Sequence, residues 1–446
     1  MTYKVISKED YLARGDFVYR HIPVPVFVKA EGPSLIDENG YKYFAAEAAN
    51  GTASLGFDKS LINDTVAKSR KIPSIPSFCE TDIRKKVAVR LGKQLKKITS
   101  KEGKVAFELG GAQGIELALK IAKINTQKSL FVVFEGGYHG RSVYTSQFSA
   151  SHRYRALIGD WRVPVIRLPY PDWEQSKFKD SRTYYNYCLD TVNRLTTSEV
   201  GGIVTRNGDP DIAAFMFEPL LNAGGIVKPD KKYLEKLVKI FRKLKALIIV
   251  DEVFCGFFRT GKMFGFQHYD FIPDIVVMSK AITNGISPLS CVWAKNPLLS
   301  YNNFPPGTHS ATFINNPLAL SAADTVLDRF EHWKDRDSDI KKLENSLNQI
   351  FTIIKERSKL VKSTFALGGV GRLLLRGNFA GKVLDIARTI AYKKPVEGYH
   401  GIILASTGMA SNVVALNPPL NLTEKEKSIM GKLLISAFAK ADKMFL

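Results

Sequence analysis

Three apolar runs each end in a residue able to do acid–base or covalent chemistry. "IAAFMFEP" (212–219) reaches Glu218, "ALIIVDEV" (246–253) carries Asp251, and "PDIVVMSKAITNG" (273–285) sets Lys280 just beyond Ile275, Val276, Val277 and Met278. An unpaired ammonium is costly to bury, so a lysine delivered by an apolar strand needs a reason. One reading is structural: a buried lysine and aspartate offset each other as an ion pair. The other is chemical. A lysine desolvated enough to lose its proton is a nucleophile that forms Schiff bases with carbonyl groups. An aspartate beside it would hold the nitrogen of a pyridine-type ring protonated and electron-withdrawing.

Such chemistry also needs a holder for an anionic, flat ligand. "LGGAQG" (109–114) is a glycine-rich turn running into "GIELALKIAKI" (114–124), whose apolar residues recur at helical spacing. A turn of this kind presents backbone N–H groups and the positive end of a helix to a phosphate. "EGGYHGR" (135–141) adds Tyr138, an aromatic to cover a ring, and Arg141, a cation to take a carboxylate.

The elements that must position these residues alternate in type. "SLFVVFEGG" (129–137), "IAAFMFEP", "ALIIVDEV" and "DIVVMSK" read as strands buried on both faces, and "DKKYLEKLVKIFRKLK" (230–245) reads as an amphipathic helix capped by Asp230. The pattern predicts an α/β domain with a mostly parallel sheet, and ligands in such sheets sit beyond the carboxyl ends of the strands. Glu218, Asp251 and Lys280 all fall at such ends. Helices over 318–330, 337–361 and 424–445, with shorter strands between, predict a second, smaller α+β domain. The expected division is an N-terminal segment, 1–60, that joins the small domain, a large domain over 61–320, and the small domain over 321–446.

Composition narrows the function classes. Of the 446 residues, 45% are apolar and 24% charged, a globular balance. The N-terminus lacks the apolar core of a secretory signal, and no run is long and apolar enough to span a membrane. The four cysteines lie far apart, with neither metal-ligand nor disulfide spacing, so no metal is expected and a reducing cytoplasm is the expected location. The net charge of +21 is spread along the chain rather than gathered in a binding module. It reads as a solvated basic surface, and nucleic acid is not an expected partner.

The segment "IIVDEVFCGFFRTGKMFGFQHYDFIPDIVVMSKAITNGISPLS" (248–290) resembles the signature of the class III, ω-aminotransferase-like enzymes that depend on pyridoxal 5′-phosphate (PLP). The similarity runs from "LIDENGYKYFAAEAANGTASLGF" (35–57) through "HSATFINNPLA" (309–319) to "NPPLNLTEKE" (417–426). It implies the PLP fold type I, with a seven-stranded sheet in the large domain, PLP as cofactor, an amino donor and an oxo-acid acceptor as substrates, and a homodimer. Residue by residue, it implies that Lys280 forms the Schiff base and later moves the Cα proton, while Asp251 pairs with the ring nitrogen, with Glu218 near it. Tyr138 and Val253 would cover the two ring faces. Gly111 and Ala112 would hold the phosphate through their N–H groups, joined by Thr312 from the neighbouring subunit. Arg141 would bind a substrate carboxylate.

Departures from the family pattern bear on the substrate. Leu109 and Gly110 stand where Asn-Ser precedes the phosphate-loop glycine, and Gln113 where Glu is common. Ala223 and Ala415 stand where the 4-aminobutyrate-type members carry a glutamate and an arginine that alternately serve two substrates. Losing both is self-consistent, since losing one would strand a buried charge. The main expectation is an aminotransferase. A racemase or aminomutase on the same scaffold also fits the missing pair, and a non-enzymatic polyanion binder rests on charge alone.

Overall fold

The computed structural model describes residues 25–149, 163–197, 203 and 210–445. The N-terminal stretch read above as lacking a signal lies mostly outside these residues. Three short strands open the described chain: β1 (Phe27–Glu31), β2 (Ser34–Asp37) and β3 (Lys42–Ala45).

Seven strands then build the large sheet. They are β4 (Gly103–Glu108), β5 (Leu130–Phe134), β6 (Val165–Leu168), β7 (Ile212–Phe217), β8 (Leu247–Asp251), β9 (Ile275–Met278) and β10 (Ser290–Lys295). Their spatial order is β4-β10-β9-β8-β7-β5-β6. Only β10 runs antiparallel to its neighbours, β4 and β9, while β9, β8, β7, β5 and β6 pair in parallel. Strands β7 and β9 are buried at every residue, as expected when helices cover both faces.

The remaining strands are β11 (Val361–Leu367), β12 (Val370–Leu375), β13 (Gly401–Ile403), β14 (Ala405–Thr407) and β15 (Val413–Leu416). Four of them form a sheet of order β11-β12-β15-β14, and β13 pairs in parallel with β3. The C-terminal chain thus completes a sheet begun by the N-terminal strands. The final helix, Glu424–Phe445, spans the residues its pattern predicts. The long helix before β11 runs Arg336–Arg357, short of the expected 361. Ser358 takes extended backbone there, and Val361 already belongs to β11. Leu360 and Val361 prolong the apolar rhythm of the helix, so the sequence pattern hides that stop.

Candidate active site

The carboxyl ends of neighbouring strands carry the chemistry. Lys280 follows β9, Asp251 closes β8, Glu218 follows β7, and Tyr138 with His139 follows β5. Because β9, β8, β7 and β5 are adjacent in the sheet, residues far apart in sequence meet along one edge. Asp251 lies opposite Val277 in the β8–β9 ladder, which sets its carboxylate beside the turn that holds Lys280.

Lys280 takes left-handed backbone, φ +50°, at a cost of about 1–2 kcal/mol for a residue with a Cβ. Strain of this kind persists where surrounding structure fixes it. Ser279, just before it, donates its hydroxyl to the Leu289 carbonyl at 2.7 Å. Among the described residues the Lys280 amine has no hydrogen-bond or ion-pair partner. The centre of the Phe254 ring lies 5.3 Å from Nζ. Burial lowers the amine's affinity for a proton, while Glu218 and Asp251 partly oppose that effect. The arrangement keeps acids near the lysine without locking it into a salt bridge.

Asp251 is 3% exposed. One carboxylate oxygen accepts the Val253 N–H at 3.0 Å, and the other lies 2.8 Å from His139 Nδ1. The other imidazole nitrogen of His139 is buried without a described partner. Glu218 accepts the N–H of Tyr138 at 2.9 Å and that of Asn222 at 3.2 Å, so it fixes the backbone carrying the aromatic ring. Burial, and then the neighbouring Asp251, push the Glu218 carboxyl up to about 7.

The glycine turn meets the same edge. The helix Gly111–Thr126 begins without a side-chain cap at Gly110, leaving first-turn N–H groups available to an anion. A Cβ on Gly111 would lie 3.2 Å from Val253 Cγ1, so a larger residue there would require Val253 to give way by a few tenths of an ångström. Ala112 in turn packs against Gly140. Tyr138 keeps partial exposure, and the Arg141 guanidinium lies 5.8 Å from the centre of its ring. These residues suit a flat, phosphorylated ring: an uncapped helix start for the phosphate, a buried carboxylate for a ring nitrogen, and Tyr138 and Val253 as walls.

Thr312 stands apart, exposed on the segment before the helix Pro317–His332. Ala415 lies on β15, 1% exposed, in an apolar cluster with Leu220, Ile226, Phe254, Cys255 and Val370. The Ala223 carbonyl accepts the Gly408 N–H at 3.1 Å and the Thr407 hydroxyl at 2.6 Å. Two residues of the site escaped the sequence reading: His139 and Phe254. The first sits inside the quoted "YHG", but its partner Asp251 is 112 residues away.

A large, mostly parallel seven-stranded sheet with a smaller sheet-bearing part and a strand-end lysine defines the fold of type I PLP enzymes. Solved structures agree: an amine transaminase from an uncultivated Pseudomonas species, determined with PLP bound, superposes with a TM-score of 0.81 at 22% identity, over 94% of this chain and 95% of that one. The family model described as Aminotransferase class-III matches residues 18–438, and the chain belongs to that family. Acetylornithine aminotransferase of Streptococcus mutans is 26% identical over 90% of this chain and 92% of its own length. 4-Aminobutyrate aminotransferase of Mycobacterium leprae is 28% identical, over 91% and 89% respectively. The chain is therefore an aminotransferase, and its cofactor is PLP.

Proposed function

We propose that this enzyme moves an amino group from an amino acid or ω-amine to an oxo acid bearing a single carboxylate, with pyruvate the simplest acceptor. When bound, PLP supplies an electron-withdrawing ring that stabilises negative charge at the substrate Cα. Lys280 provides the amine that carries the cofactor and then moves the Cα proton. Asp251, oriented by His139, holds the proton on the ring nitrogen. Glu218 fixes the Tyr138 backbone, Tyr138 and Val253 cover the ring, and Gly111 and Ala112 take the phosphate through their N–H groups. Arg141, beside Tyr138, takes the substrate carboxylate.

The observation that carries the acceptor preference is the surroundings of Ala415. Arg372 lies directly opposite Ala415 in the β12–β15 ladder, so the two side chains share a face of the sheet. That guanidinium is already engaged by Asp172 at 3.1 Å and Glu174 at 2.7 Å. The rest of the neighbourhood is the apolar cluster of Phe254, Ile226 and Val370. A charge-assisted contact is worth roughly 1.5–3 kcal/mol, so a second carboxylate forfeits about ten- to a hundredfold in affinity here. Steady-state kinetics with pyruvate and 2-oxoglutarate test the reading. Pyruvate should give the higher kcat/KM, and 2-oxoglutarate as the better acceptor would overturn it.

The active unit in this reading is a homodimer whose partner subunit's phosphate site is reached by Thr312. Its support is the exposed apolar surface near Thr312. Phe78 has the highest exposure of the large apolar side chains among the described residues, 86%. Phe313 follows Thr312 directly and is 60% exposed, and Ser77 bonds Ser310 at 2.7 Å. Mixing Lys280→Ala and Thr312→Val chains should restore part of the activity, and a fully active monomer in sedimentation would contradict the dimer. The domain division at 60 and 320 belongs to the same reading, supported by the β3–β13 pairing. A cytoplasmic location is supported by four free cysteines. Among the described residues no helix is long and apolar enough to cross a membrane.

A further inference from the structure

Arg259 is the largest charged side chain that is fully buried among the described residues, 0% exposed, and no acid stands at ion-pair distance among them. Its guanidinium instead donates to oxygens from three parts of the chain. Nη1 reaches the carbonyls of Gly369 at 3.1 Å and Pro418 at 2.7 Å. Nη2 reaches the Gly51 carbonyl at 3.4 Å and the Ser54 hydroxyl at 2.8 Å. The Arg259 carbonyl in turn accepts the Gly369 N–H at 2.9 Å. A cation this deep without a counter-charge is expensive, and burial pushes its own proton affinity down, to about 9.

The backbone is strained on both sides of this cation. Phe257 and Phe258, just before it, take φ of +55° and +66°, and Ala48, Ala49 and Asn50 take +40°, +54° and +57°. Strain shared by two approaching segments points to a position held for function. The second segment ends at Gly51, where a Cβ would lie 2.9 Å from the Phe254 ring. That ring is the one beside the Lys280 amine.

We propose that Arg259 is a positioning residue for Lys280: it pins the left-handed turn 48–51 against Phe254 and keeps an uncompensated positive charge behind the lysine amine. The inference rests on Lys280 being the reacting amine. Burial is the main influence against its ammonium form, Glu218 and Asp251 favour that form, and Arg259 acts with burial against them. Without Arg259 only burial would oppose the two acids, so a larger share of the amine would be protonated, and an ammonium cannot attack a carbonyl carbon.

Competitive acetylation of the full-length apoprotein, read at Lys280 by peptide mass spectrometry across the pH range, tests this without cofactor or substrate. In Arg259→Met the midpoint for Lys280 should rise above that of the wild type. Arg259→Lys keeps the charge and should stay near the wild-type midpoint. Arg259→Gln, which still reaches a carbonyl, replaces the Met variant if that chain does not fold, and should shift in the same direction. An unmoved midpoint in a folded neutral variant would reduce Arg259 to a fold determinant and overturn the proposal. So would loss of folding in both neutral variants, or an equal shift in Arg259→Lys. Failure here would leave the assignment of Lys280 itself untouched, because that is read by a separate trapping experiment.

Discussion

Asp251 and Asp324 are both buried aspartates, and their surroundings could hardly differ more. Asp324, on the helix Pro317–His332, has a side chain only 1% exposed and receives Lys68 and Lys86 at 2.9 Å each and Arg90 at 2.6 Å. Burial alone would raise its pKa, yet the hydrogen bonds from Lys86, Lys68 and Arg90 hold it below the usual carboxylate value. Asp251 has one backbone N–H and one imidazole, with Glu218 close enough to be pushed up by it. The first acid is saturated by its own protein and staples helices together. The second retains an incompletely answered charge at a strand end, where an incoming ring nitrogen can complete it.

Substitutions that cross the two regions should separate activity from stability. Lys280→Ala should have the largest effect on turnover, a loss of about a thousandfold or more, with Tm unchanged or higher because a buried amine has gone. Near-normal turnover in that variant would remove Lys280 from the mechanism. Asp251→Asn should follow, with kcat down by about a hundredfold or more as the ring nitrogen loses its charged partner. Its Tm should change little. Asp324→Asn should invert the pattern, costing about 1–3 kcal/mol of stability, since its partners are partly solvated, while kcat holds. If both aspartate variants lost stability and activity together, the contrast would fail.

His139→Gln sharpens the comparison further. It removes the orienting partner of Asp251 while leaving the carboxylate, so kcat should fall by about ten- to a hundredfold, the value of one charge-assisted bond. An effect confined to KM would mean His139 shapes the pocket rather than Asp251.

The smallest effect is in the pH dependence of stability, where the regions should pull in opposite directions. Asp324 has a depressed pKa, so its contribution is present at neutral pH and is lost as pH falls through its folded value. Glu218 is raised from 4.5 to about 7, so the folded state binds its proton more tightly, and its contribution is lost as pH rises through that window. Tm measured against pH should therefore flatten between those limits in Glu218→Gln, and should lose part of its acid-side fall in Asp324→Asn. Parallel curves for the wild type and both variants would refute the assignment.

Much of this was legible in the sequence, because it depended on local pattern. Continuous apolar runs marked β7, β8 and β9, and a residue able to do chemistry at each of their ends marked the site edge. The glycine turn before Gly111 and the aromatic in "EGGYHGR" were readable for the same reason. His139, Phe254 and Arg259 were not. Their roles depend on contacts with Asp251, Lys280, Gly51 and Pro418, and neither period nor spacing encodes which side chain meets which across a fold. The overrun of the helix Arg336–Arg357 has the related cause that an apolar rhythm carries no mark of where hydrogen bonding changes from helix to strand.

The central claim is that Lys280 is the amine that carries PLP. Borohydride reduction of the PLP-loaded protein, followed by peptide mass spectrometry, reads it directly. The account predicts a phosphopyridoxyl group on the peptide containing Lys280 and on no other lysine peptide. A modified lysine elsewhere, with Lys280 unmodified, would contradict it.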